Sequence, residues 1–102
     1  MTALHPRKLV TVVCEATLER AVLDTLRAAG AGGYTAAEAR GQGSRGERAG
    51  DWEGSRSIQI QVLCDADTAG RLVEALLARY SADFALTLWV SDVAVARPGK
   101  FP

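Results

Sequence analysis

Arginine and glycine alternate through the middle of the chain in a pattern that points to anion chemistry. Arg40, Arg45, Arg48 and Arg56 are interleaved with Gly41, Gly43, Gly46, Gly50 and Gly54. Glycine lets backbone N–H groups crowd around an anion, and guanidinium groups add forked donors, a combination suited to phosphate or carboxylate. The same spacing is expected to exclude a regular element that buries a face, so this stretch reads as a loop. Long loops inside small domains are uncommon and are mostly binding loops or disordered insertions. A plain surface connection kept soluble by its charges is the other reading. Trp52, between Asp51 and Glu53, sits at the expected tip with no core to enter. It suits an anchor for a partner protein or a ring folded back on its own subunit. The remaining reactive groups are His5, Cys14 and Cys64. One histidine in the N-terminal segment supplies no nucleophile–base pair, so no catalytic site is expected. Two cysteines so far apart in sequence form neither a C-x-x-C pair nor a zinc site. Both thiols are expected to be buried and inert, at the ends of neighbouring strands read as parallel.

The elements that must position the loop can be read from periodicity. Residues 9–14 are β-branched and apolar on both faces, the mark of a central strand. In residues 15–29, Leu18, Val22 and Leu26 form one apolar stripe with Ala21 and Leu23, and Gly30 is the expected helix C-cap. Residues 34–40 resume a β-prone pattern. Beyond the loop, residues 57–64 alternate with period two, so the loop joins a hairpin. Residues 69–80 are helical by the spacing of Leu72, Leu76 and Tyr80, and residues 84–95 form a last long strand. The order βαββαβ with right-handed crossovers gives an α+β, ferredoxin-like fold: an antiparallel sheet of order 4-1-3-2 with both helices on one face. The uncovered face then carries either Gln59 and Gln61 or Ile58 and Ile60, with alternate residues of the first and last strands. An apolar face of this kind is expected to close against copies of itself in a ring.

The 102 residues make one domain, residues 1–102. Twelve Lys and Arg balance twelve Asp and Glu, so no basic surface argues for nucleic acid, and any anion site must be local. The first eight residues lack the apolar core of a signal peptide, and no stretch approaches the roughly 20 apolar residues of a membrane span, so a cytoplasmic protein is expected.

The motif Gly33-Tyr34-Thr35-x-x-Glu38-x-Arg40-Gly41-x-Gly43-x-Arg45-Gly46 follows the first strand and helix and precedes an alternating strand. It resembles the base of the T-loop in the PII signal-transduction superfamily, over about residues 8–97. The resemblance implies a closed trimer that binds adenine nucleotides between subunits and contacts a target protein through its T-loop, here residues 42–57. Ordinary PII proteins carry a glycine-rich, lysine-bearing loop before the last strand, where this chain has only Ser81-Ala82-Asp83-Phe84. No tyrosine lies between Gly46 and Ser57 to be uridylylated. The chain is more similar to the PII-like branch associated with carboxysomes and bicarbonate transport. That branch implies AMP or ADP as ligand, with ATP a further candidate, bicarbonate as a second ligand, and a bicarbonate transporter or carboxysome component as partner. Matched residue by residue, the resemblance implies nucleotide contacts at Thr35, Gly41, Gln42, Gly43, Ser44 and Arg45. It adds Arg97 and Lys100 from the C-terminal tail, residues 97–102, with Val13 a candidate for the adenine cleft as well as for the strand core. Arg48 and Trp52 are the candidate partner contacts. A cation-tolerance-type metal-binding trimer shares the topology and is the alternative, but it requires clustered His, Cys or carboxylate ligands.

Overall fold

The computed structural model describes residues 3–43, 46–47, 56–80 and 86–102. The elements come in the expected order: β1 (His5–Glu15), α1 (Glu19–Ala28), β2 (Thr35–Ala39), β3 (Ser57–Cys64), α2 (Ala66–Tyr80) and β4 (Thr87–Val95). Every pairing in the main sheet is antiparallel, and its spatial order is β2-β3-β1-β4. This is the expected 4-1-3-2 arrangement read from the other edge, an α+β ferredoxin-like fold.

Alternation in β3 decides which way the sheet faces. Ile58, Ile60, Val62 and Cys64 are buried together with Val10, Val12 and Cys14 of β1. Against them lie Val22, Leu23 and Leu26 of α1 and Ala69, Leu72, Leu76 and Tyr80 of α2. The helices therefore share one face. Helix α1 starts later than its apolar stripe suggests, because residues Ala16–Leu18 form a 3-10 turn. Its end is as the sequence predicts. Gly30 has φ of 104°, the Gly30 N–H donates to the Arg27 carbonyl at 3.0 Å, and the Ala31 N–H donates to that of Leu26 at 3.0 Å. These two bonds close a Schellman motif, whose left-handed position favours glycine. Helix α2 begins three residues before Ala69, since the Asp65 carboxylate accepts the Thr68 N–H at 2.8 Å and caps the first turn. That bond is the main cause holding the Asp65 carboxyl below its ordinary range; Arg71 and Arg7 add to it. Arg71 also donates to the Ala29 carbonyl at 3.1 Å, tying α2 to the end of α1.

The register assigns the helix-free face to Leu9, Thr11 and Val13 of β1, Gln59, Gln61 and Leu63 of β3, Thr35 and Ala37 of β2, and Thr87, Trp89 and Ser91 of β4. Of the two options left open by the pattern, the glutamines take this face, so it is more polar than expected. Val13 belongs here rather than to the core under the helices. The cysteines need a correction: β1 and β3 run antiparallel, with Cys14 opposite Ile58 and Cys64 opposite Lys8. Six strand residues at ~3.3 Å each therefore separate them by about 20 Å. The consecutive hairpin β2–β3 reverses β3 against β1, which the parallel reading overlooked. The loop also departs from expectation. Gln42 pairs with Glu47 and Gly43 with Gly46, a two-residue ladder at its root that glycine backbones admit. In β4, the strand begins at Thr87, and residues 84 and 85 of the expected range lie outside the described residues.

Candidate functional site

A cavity of about 330 Å³ opens where four pieces of the chain converge. Leu9 of β1 and Gln61 and Leu63 of β3 come from the helix-free face, Gly32, Gly33, Tyr34 and Thr35 from the approach to β2, and Lys100 and Phe101 from the C-terminus. Strand register explains the polar wall, since Thr35 is the direct partner of Gln61. The apolar walls are Leu9, Leu63, Phe101 and Tyr34, and among the described residues Lys100 is the one cation lining the cavity. The arrangement can take a flat apolar group with polar edges, with a negative charge directed towards Lys100. A larger depression, about 450 Å³, lies along α1 and shares Tyr34 with this cavity. Its remaining walls come only from α1 and its lead-in turn, so it brings no distant residues together.

Among the described residues, one side chain hydrogen-bonds to the C-terminal wall. Pro98–Lys100 form a 3-10 turn. Arg7 on β1 donates from Nε to the Phe101 carbonyl at 2.8 Å and from Nη2 to the Pro98 carbonyl at 3.1 Å. Its Nη1 donates to the Pro6 carbonyl at 2.8 Å.

Of the residues singled out in the sequence, Thr35 and Lys100 line this cavity, whereas Arg97 and Gly41 do not. Strand β2 carries the chain away from Thr35 by about 13 Å to Ala39, at ~3.3 Å per residue, and Gly41 lies beyond. Gln42 and Gly43 belong to the root ladder. Ser44, Arg45, Arg48 and Trp52 lie outside the described residues. At the root, Arg56 donates to Glu38 at 3.1 Å, an exposed ion pair that bridges β2 to the residue before β3. Leu9, Gln61, Leu63 and Phe101 were missed by sequence reasoning. For Gln61 a signal existed, as a polar residue on the alternating strand predicted to pair with β2. Both cysteines are buried. Burial, with Glu19 and Glu15 nearby, pushes the Cys14 thiol up from 9.0 to about 11, and burial also raises that of Cys64. Among the described residues no group of three or more His, Cys, Asp or Glu could hold a metal ion, and no helix is long and apolar enough to cross a membrane.

Residues 7–100 match the family described as nitrogen regulatory protein P-II. The chain belongs to the P-II family. Among solved structures, one described as a PII-like signaling protein from Thermus thermophilus is 38% identical, with a TM-score of 0.82 over 97% of this chain and 98% of that one. The structure of CPII from Thiomonas intermedia K12 bound to ADP and bicarbonate is 28% identical, with a TM-score of 0.88 over 100% of both chains. A second CPII structure, described as a nitrogen regulatory PII-like protein bound to ADP, AMP and bicarbonate, is 28% identical with a TM-score of 0.88 over 99% of this chain and 98% of that one. No curated protein matches the chain. The P-II match takes in both helices and all four strands save His5 and Pro6 at the start of β1, so the cavity is built from parts within the family domain, its last wall residue Phe101 excepted.

Proposed function

We propose that this P-II family member is a non-enzymatic sensor that binds AMP or ADP in clefts between the subunits of a homotrimer. Bicarbonate is its second ligand, and a cytoplasmic partner protein of inorganic-carbon transport or metabolism is contacted through residues 42–57. The observation that carries the reading is the cavity uniting Thr35, Gln61, apolar walls and Lys100. Its chemistry suits an adenine ring with a phosphate at one end, and a relative of 28% identity is bound to ADP, AMP and bicarbonate. Because β2 carries the loop root well away from Thr35, a single nucleotide does not reach both from one chain. A cleft shared with a second copy reconciles them: one subunit offers Thr35, Gln61 and Lys100, and its neighbour offers Gly41, Gln42, Gly43, Ser44 and Arg45. The partly exposed helix-free face, with Trp89 45% exposed, supplies surface for that assembly. Arg48 and Trp52 on the loop are assigned to the partner.

Native mass spectrometry with ADP tests assembly and ligand together. The expected species is a trimer that takes up three nucleotides. A monomer, or a trimer that retains no ADP at concentrations approaching millimolar, overturns the proposal.

A further inference from the structure

We propose that Arg7 is the positioning residue of the cavity, the clamp that turns the C-terminal tail into its wall; the inference rests on the nucleotide reading above. The tail has little of its own to hold it. Its 3-10 turn makes two backbone bonds, from the Lys100 N–H to the Arg97 carbonyl and from the Phe101 N–H to that of Pro98, each 3.1 Å. Turns this short are weak, and Pro98 and Pro102 remove backbone donors. Ordering the segment costs backbone entropy that those two bonds do not offset.

Arg7 supplies what is missing. It projects from β1, opposite Val93, and its fork spans the carbonyls of Pro98 and Phe101 on either side of Lys100. The Phe101 bond crosses 94 positions of sequence, so it couples the chain's two ends. Only a planar, multidentate donor spans both carbonyls at once, and an ammonium does not reproduce that geometry. Arg7 itself does not line the cavity. Whatever it does for a ligand there, it does by holding Lys100 and Phe101 in place. The same guanidinium field also helps to hold the Asp65 carboxyl that caps α2 below its ordinary range, so the clamp sits at a junction of β1, the tail and α2.

The test compares the full-length protein with Arg7→Ala and Arg7→Lys in two arms. In the first, hydrogen exchange is followed at the Lys100 and Phe101 amides without nucleotide. Both variants should exchange about tenfold faster there, with the amides of β3 unchanged. Unaltered exchange overturns the clamp. In the second arm, ADP affinity is measured by calorimetry in the unaltered chain and in a Lys100→Ala/Phe101→Ala background. Arg7→Ala should weaken binding about tenfold in the former, as expected for lost charge-assisted bonds, and less than about twofold in the latter, because what it positions is gone. Equal losses in both backgrounds, or no loss in the first, overturn the positioning role. If the unaltered protein binds no ADP, the nucleotide reading fails and Arg7's role in binding fails with it. The exchange arm separates that outcome from failure of the clamp.

Discussion

Removing the Lys100 ammonium from the cavity is the perturbation with the sharpest expected outcome. Lys100 lines the cavity and Arg97, three residues earlier, does not. A hydrogen bond to a charged group contributes about 1.5–3 kcal/mol. Lys100 is exposed, so solvent screens its contact and the lower end applies. Lys100→Ala should therefore weaken ADP by roughly 1.5 kcal/mol, about twelvefold in Kd. Arg97→Ala should change it by less than about threefold, the usual range for a surface charge away from a site. Titration calorimetry of both variants reads the difference directly. Raising salt from 0.1 to 1 M shortens the screening length from about 10 to about 3 Å, so the gap between Lys100→Ala and the unaltered protein should narrow. Identical affinities for all three proteins, or a larger loss for Arg97→Ala than for Lys100→Ala, would refute the placement of the phosphate.

The thiols report on the core. Cys14 ionises near 9.0 when unfolded but near 11 when folded, so its contribution is present below about pH 9 and lost as pH rises towards 11. Two pH units amount to at most about 2.7 kcal/mol, visible as a steeper fall in the urea midpoint than in Cys14→Ala. A parallel fall in the two proteins would contradict the burial. Leu72→Ala, at a fully buried position between α2 and the sheet, should cost about 2–5 kcal/mol in chemical denaturation, and a loss under 1 kcal/mol would mean that α2 does not cover the sheet. Gly30→Ala meets open space apart from Arg71 at 3.5 Å, yet its backbone at φ of 104° is strained for any side chain, so it should destabilise by about 1–2 kcal/mol; an unchanged melting temperature would argue against the Schellman turn.

Local chemistry made most of the fold legible. Alternation from Ser57 to Cys64 reproduced β3 residue for residue, and Gly30 marked the end of α1, because both signals act within a few residues. Strand β1 was read too short at its start, where Arg7 and Lys8 break the apolar run. Pairing with β4 carries the strand back to His5, and Lys8 meets Asp92 there. The site was only half legible. Thr35 and Lys100, which line the cavity, were reached only through the resemblance to the PII family, and the walls Leu9, Leu63 and Phe101 carry no motif, since an apolar residue at a cavity looks like one in a core. The Arg7 clamp left no trace in the sequence either, because its partners are backbone carbonyls, which every residue type presents alike.

The proposed binding of AMP or ADP, with bicarbonate as the second ligand, is read by calorimetric titration of both nucleotides with and without bicarbonate. Bicarbonate should tighten AMP or ADP binding, and nucleotide should tighten bicarbonate by the same factor, as linkage requires. Absence of binding by either nucleotide up to millimolar concentration, or affinities indifferent to saturating bicarbonate, would contradict it.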